Sequence, residues 1–562
     1  MATLTTVTSR RARHSAALGA QHEFPRALLW APLAAVLITQ AILSARLIHV
    51  SVASGDESLY IYSGHQLIHE LWHGGGTPYY ETYFSGAPDL YPVLAGIADH
   101  LGGLAAVRLM SLACMLTATG LLYATADRIF GYWPAVTAAA LFASLGVTQF
   151  LGAYATFDAM ALMLMAAATY CALRAAEDRE GAARWLLVIP AVLLTANAIK
   201  YASALFDPVV IGLGALMIRD NGWKRAAQRA VALSGTTLLL LVVAVFLAGS
   251  GYLKGILETT LTRQSGSVGP LVGLTSSTPG QIISHSWNWI GLVICLGVLA
   301  LLTAVPLRRE RRHLVVLLLL DVAGILVTLE YLRLDTLISA EKHDDFGAWF
   351  TCIAGGYALA RGAELVRRWY ARIPFIIVAA SATGAAVFLY LPQAAGFFSG
   401  NAIVPQALVL RPYLASSSRH YLLLGGQEPM AIPYYLHLNI PWQNLTDDNY
   451  IKYPVPGRRG TYMEGVPGFE AAIHHRYFAV VSFPAAALNT SWDQMELRTV
   501  RSTPGYKLVS TVGGPTYIYP PDFSASASRR RMSTASRAGS RAARLSPTSP
   551  SDTPRAPWGR GL

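Results

Sequence analysis

The sequence predicts a mainly α-helical, polytopic membrane protein of about eleven spans, N-terminus inside and C-terminus outside, with a small α/β domain beyond the last span. Three observations carry that expectation. Apolar residues make up 53% of the 562-residue chain and charged residues only 14%, whereas a soluble domain carries about a quarter charged. The apolar residues gather into runs near the ~20 residues that cross a hydrocarbon core. Lysine and arginine crowd into every second connection between those runs.

The runs lie near 28–50, 104–124, 132–150, 157–173, 184–199, 202–218, 229–249, 286–306, 313–332, 346–363 and 373–391. The first exceeds the ~7–15 residue apolar core of a cleaved signal peptide and reads as an anchor. Arg10, Arg11, Arg13 and Arg26 precede it, and 51–103 holds no lysine or arginine. Basic residues return after the second run (Arg128), the fourth (Arg174, Arg179, Arg184), the sixth (Arg219, Lys224, Arg225, Arg229), the eighth (Arg308, Arg309, Arg311, Arg312) and the tenth (Arg361, Arg367, Arg368, Arg372). Those connections face the cytoplasm, which leaves 51–103 and everything after 392 on the extracytoplasmic side.

Beyond 392, strand-like pieces at Tyr421–Leu424, Tyr477–Phe483, Lys507–Val512 and Thr516–Tyr519 predict an α/β domain reaching to 523. Ser524–Leu562 carries eight arginines and one aspartate, buries no core and reads as a disordered tail. That tail holds more than half of the net charge of +12, so no basic stripe on a folded surface implies nucleic acid. The domain plan is a cytoplasmic tail (1–27), a membrane domain (28–391), an outer domain (392–523) and the tail (524–562). Cys114, Cys171, Cys295 and Cys352 are scattered through apolar stretches, which gives neither a zinc motif nor a disulfide framework.

The first outer loop, 51–103, is long for a helical bundle, and such loops are often functional. It opens Ser54-Gly55-Asp56-Glu57-Ser58. Tyr60, Ile61, Leu67, Ile68, Leu71 and Trp72 then fall within an arc of about 140°, opposite Ser63, Gln66, His69, Glu70 and His73. Such a helix lies along a membrane surface, apolar face down. Ser54-x-x-Glu57 is also a capping box, in which both acids complement the helix dipole. The two readings are compatible, because a helix N-terminus keeps Asp56 ionised, as a base requires. His65, His69 and His73 repeat every four residues, a polar face before a metal stripe. Gly74–Gly76 and Tyr79-Tyr80 follow, then Pro88-Asp89-Leu90-Tyr91-Pro92.

Acid pair, surface helix, Gly/aromatic stretch and Pro-Asp-Leu-Tyr-Pro after a first span resemble the GT-C superfamily, membrane glycosyltransferases that use polyprenyl-phosphate sugars. Protein O-mannosyltransferases, lipid A aminoarabinose transferases and lipopolysaccharide-core transferases are its members. Three later pieces resemble it too. They are Tyr154-Ala155-Thr156-Phe157-Asp158 before the fourth span, Lys200-Tyr201 at a membrane edge, and Glu341-Lys342-His343-Asp344-Asp345 as a late outer loop. The resemblance covers about 50–365.

The resemblance implies an inverting transfer of a hexosyl or pentosyl unit from a lipid-phosphate donor, a membrane lipid, to a glycoconjugate, protein or lipid acceptor on the extracytoplasmic face. Asp56 is the implied base, and Glu57 orients it or holds a sugar hydroxyl. Asp158 supplies a second carboxylate, against a reading as a helix cap beside Thr156. Lys200, Tyr201, Lys342 and His343 bind the donor phosphate. For Lys200 the alternative is snorkelling to headgroups; for Lys342 and His343 it is a solvated loop. No cofactor and no metal ligand is predicted, and a divalent metal stays open. Asp321, mid-span, is expected to face the bundle and meet a partner. The alternative function is a multi-pass transporter or lipid-sugar flippase, which would show repeats and broken helices at mid-membrane depth.

Overall fold

The computed structural model describes residues 26–520, with breaks of which the longest are 262–276 and 366–380. The expected run 373–391 falls largely outside the described residues, as does the Ser/Arg/Pro tail.

Helix α1 (Arg26–Ala45) leads into α2 (Gly55–His73) and, after a 3₁₀ turn at Tyr80–Thr82, into the 40-residue α3 (Tyr91–Phe130). Then follow α4 (Tyr132–Ser144), α5 (Gly146–Leu151), α6 (Asp158–Glu177), α7 (Ala182–Ile199), a 3₁₀ turn (Tyr201–Phe206), α8 (Asp207–Ile218), α9 (Trp223–Ala248) and α10 (Ser250–Ile256). The bundle continues with α11 (Pro279–Ala304), α12 (Arg311–Leu334) and α13 (Ala340–Leu365). Among the described residues, five of these helices are long and apolar enough to cross a membrane: α3, α6, α9, α11 and α12. Helix α13 packs against α4, α11 and α12, with Trp349, Phe350, Cys352, Ile353 and Ala354 fully buried. A Cβ on its Gly356 would lie 2.5 Å from the Pro134 carbonyl oxygen; a small residue is what lets these two helices approach.

Three expectations change. The first loop ends at Leu90, because α3 starts thirteen residues before the apolar run and bends at Gly102–Gly103. Glycine's freedom allows that bend: Gly103 has φ 67°. Residues 341–345 are not a loop but the first turns of α13, and Asp344 and Asp345 are fully buried. Their charges dilute the hydropathy of a stretch that is nevertheless interior. Asp321 lies against Gly297, and neither of its carboxylate oxygens has a hydrogen-bond partner among the described residues.

Helix α2 does not simply lie on a surface. Its first half, Glu57–Gly64, is buried on all sides, against α3 and against α15 (Glu428–Leu436) of the C-terminal region. Only its far end behaves as the amphipathic pattern predicts, with Leu71 and Trp72 about four-fifths exposed.

After α14 (Ile403–Leu410), a five-stranded sheet forms in the order β2-β1-β5-β7-β6. The strands are β1 (His420–Leu423), β2 (Leu445–Thr446), β5 (Phe478–Ser482), β6 (Lys507–Ser510) and β7 (Thr516–Ile518); β3 (Lys452–Pro454) and β4 (Tyr462–Glu464) form a separate hairpin. Strand β1 runs parallel to β2 and β5, and β7 antiparallel to β5 and β6. Side chains alternate across the sheet. Tyr421, Leu423, Val480 and Ile518 pack with α14 and α15. Leu422, Val481 and Tyr517 pack with α16 (Gly465–His474) and α17 (Ser491–Ser502). The region is joined to α2 and α3 by polar contacts: Tyr434 OH donates to Asp99 at 2.7 Å, His65 meets the other Asp99 oxygen at 2.7 Å, and Tyr62 OH donates to the Leu438 carbonyl at 3.3 Å.

Candidate active site

The capping box at the start of α2 forms in full. Ser54 Oγ accepts from the Glu57 amide at 3.4 Å, and the Glu57 carboxylate accepts from the Ser54 amide at 2.9 Å. This satisfies two N–H groups that a helix start leaves without partners. It also points Asp56 and Glu57 in different directions.

Glu57 turns inward and is fully buried with Arg108 of α3. Arg108 Nε and Nη2 donate to its two oxygens at 2.8 and 2.7 Å, and the Ala155 amide donates at 2.9 Å. Arg108 Nη1 also donates to the carbonyls of Ile48 at 2.6 Å and Ser51 at 3.0 Å. One guanidinium therefore ties the segment after α1, the start of α2 and the turn before α6 into one frame. The carboxylate is thus enclosed by Arg108 and the Ala155 amide. Arg108 escapes notice in the sequence because it sits inside an apolar run; an arginine at that depth is itself the signal that a partner exists.

Asp56 turns outward, its side chain 21% exposed, and forms an ion pair with Lys342 from the first turn of α13. The Lys342 ammonium is 4% exposed. Burial pulls its pKa down, but Asp56 and Asp158 together more than offset this, and it stands above an ordinary lysine. Asp158, the first residue of α6, accepts from Thr156 Oγ1 at 2.9 Å and lies 3.2 Å from Lys200 Nζ and 3.8 Å from His343 Nε2. His343 Nδ1 hydrogen-bonds Tyr331 OH at 2.7 Å. Tyr154 sits under the cluster, its OH 2.7 Å from Ser54 Oγ. Burial first, then the charges of Asp56 and Glu57, push its phenol well above the usual value, so it stays neutral. Asp56, Asp158, Lys200, Lys342 and His343 thus meet in one place, drawn from four separated stretches of chain. Tyr201 stands beside Lys200.

The stretch around Lys200 is held by the first loop. The Ala87 amide donates to the Ala198 carbonyl at 2.6 Å, and the Tyr201 amide to the Ser85 carbonyl at 2.9 Å. Between them, a Cβ on Gly86 would stand 2.1 Å from the Ile199 carbonyl oxygen. Gly86→Ala is therefore expected to push Lys200 out of register. Because a ~1 Å misplacement costs about 10²-fold, turnover should fall by roughly that factor with the melting temperature little changed. Turnover equal to wild type would show that this contact does not set the lysine's position.

A cavity of about 510 Å³ opens beside the cluster. Lys200, His343, Tyr331, Asp89 and Tyr201 line one part of it, and Leu194, Phe206, Leu241, Val245 and Ala248 the rest. A charged end joined to an apolar sleeve suits an amphiphile with an anionic head. Among the described residues, no group of three or more His, Cys, Asp or Glu is arranged to hold a metal. His69 and His73 stack with ring centroids 4.4 Å apart, and His65 is taken by Asp99.

The architecture is similar to that of solved structures of two other proteins, and the resemblance to the GT-C superfamily seen in the sequence finds support in a family match over part of the chain and in the fold. In particular, the dolichyl-phosphate-mannose-protein mannosyltransferase family matches residues 94–248. ArnT from Cupriavidus metallidurans, in a structure bound to undecaprenyl phosphate, is similar with a TM-score of 0.56 and 13% identity, over 90% of this chain and 99% of that one. The archaeal oligosaccharyltransferase AglB from Archaeoglobus fulgidus, in complex with an inhibitory peptide and a dolichol-phosphate, is similar with a TM-score of 0.54 and 14% identity, over 90% of this chain and 75% of that one. At such identities the two structures speak to the fold alone. No curated protein matches the chain in sequence.

Proposed function

We propose that this protein transfers a sugar from a polyprenyl-phosphate donor to an acceptor hydroxyl at the extracytoplasmic face of the membrane, with inversion at the anomeric carbon. The observation that carries the reading is the cavity lined by Lys200 and His343, both of which reach Asp158, with the Asp56–Lys342 pair beside them. Asp56 takes the proton of the acceptor hydroxyl as its oxygen attacks the anomeric carbon. The bond from that carbon to the phosphate oxygen breaks, and the phosphate leaves with the electron pair. Lys200 and His343, which line the cavity, take up the charge that develops there, Lys342 stays with the carboxylates behind them, and Tyr201 flanks the head. The apolar sleeve along α7 and α9 takes the first isoprene units. Glu57 holds Asp56 in place through the capping box. The undecaprenyl phosphate and dolichol-phosphate seen with ArnT and AglB are of the chemical type this cavity suits. The lysine and arginine bias supports an extracytoplasmic site, and the sheet region packs against α2 beside it.

The test is binding of undecaprenyl phosphate to the purified full chain in nanodiscs. Saturable binding is expected, weakened about tenfold or more by Lys200→Met, since a charge-assisted hydrogen bond is lost. No saturable binding, or equal binding by the variant, would sink the reading.

A further inference from the structure

The charges of the site cancel before any donor arrives. Lys342 is paired with Asp56, and Lys200 with Asp158 at 3.2 Å. Both ammonium groups are 4% exposed and Asp158 is fully buried. Among the described residues, the two lysines of the cluster thus each carry a carboxylate before a phosphate arrives. The phosphate has to draw one lysine away, and a buried carboxylate left alone is costly.

The cavity decides which cation yields first. Lys200 and His343 line it, so the phosphate meets Lys200 before Lys342. Once Lys200 turns to the phosphate, Asp158 loses its near partner. Lys342 sits next to Asp158 as well, because its neighbour in α13, His343, reaches Asp158 at 3.8 Å. Asp56, 21% exposed, gives up a cation at less cost than Asp158, which is 0% exposed.

Resting on the proposed donor chemistry, we infer that Asp158 is a relay: the donor phosphate takes Lys200, Asp158 takes Lys342, and Asp56 is thereby released as the base. The acceptor-activating carboxylate is latched until a lipid phosphate is seated. Asp158 is then a positioning residue, acting on Asp56 through Lys342. A base withheld in this way does not activate water while the donor site is empty.

The inference is read in undecaprenyl phosphate binding to the full chain in nanodiscs, as a double-mutant cycle. Asp56→Asn frees Lys342 to serve Asp158, so Lys200 leaves more readily. The Kd is expected to fall about fivefold, in the range of couplings within one ion-pair network. In an Asp158→Asn background the same Asp56→Asn change should leave the Kd unaltered, because the relay is cut. Equal effects in both backgrounds, or no effect in the first, overturn the relay while leaving the donor reading standing. Failure of the wild-type chain to bind overturns both. If Asp158→Asn does not fold, a structure of the wild-type chain with undecaprenyl phosphate decides. Lys200 on the phosphate and Lys342 on Asp158 are expected; Lys342 still on Asp56 overturns the inference.

Discussion

An Asp56→Asn chain is expected to lose about 10²–10⁴ in kcat and to fold and insert as the wild type does. The substitution keeps the shape of the side chain. The helix start does not depend on it, because Ser54 and Glu57 form the capping box. What disappears is the proton acceptor. The assay is sugar transfer from purified polyprenyl-phosphate sugar, with donor affinity measured alongside. Loss of kcat with donor binding retained marks a group that acts in the chemical step. Turnover within a few-fold of wild type would remove Asp56 as the base.

The second large effect belongs to Arg108. Arg108→Met leaves Glu57 fully buried without its counter-charge, and breaking such a pair costs about 3–5 kcal/mol. It also removes the donors to Ile48 and Ser51. Arg108→Lys should rescue little, because an ammonium cannot present the planar fork that engages both Glu57 oxygens. Adding Glu57→Gln to Arg108→Met should recover part of the lost stability, since the buried charge goes with it. Thermal unfolding in detergent, followed by transfer assays on the folded fraction, separates stability from positioning. A single Arg108→Met variant within ~0.5 kcal/mol of wild type would show that the pair holds nothing.

Most of the bundle was legible because its signals are local. Apolar runs mark the bodies of α1, α6, α7, α9 and α12, and Ser54-x-x-Glu57 marks the start of α2. What escaped is set by contacts between distant segments. Nothing within four residues of Asp344 or Asp345 says that α13 begins at Ala340 and that both acids go inside. The burial of Ser63 and Tyr62 depends on α3 and α15, nearly 400 residues away in the second case. At the site, Asp56, Asp158, Lys200, Lys342 and His343 were readable as candidates from residue type, sidedness and resemblance. Which carboxylate meets which cation was not, because pairing is a property of packing. Arg108 lay hidden inside its apolar run, and the contacts of Tyr331 with His343 could not be read from residue type alone.

The frame that Arg108 makes with Glu57 has a consequence for biosynthesis. A chain leaves the ribosome N-terminus first, so the glutamate has already emerged when the arginine's helix follows it. An arginine in an inserting apolar helix carries a penalty, and here its counter-ion waits ahead of it. The order of emergence goes on to the second pair, 158 before 200, and ends at 342. A nascent polypeptide stopped short of that last lysine has its scaffold pinned but its charge cluster incomplete, so the cluster closes only after the frame that holds it.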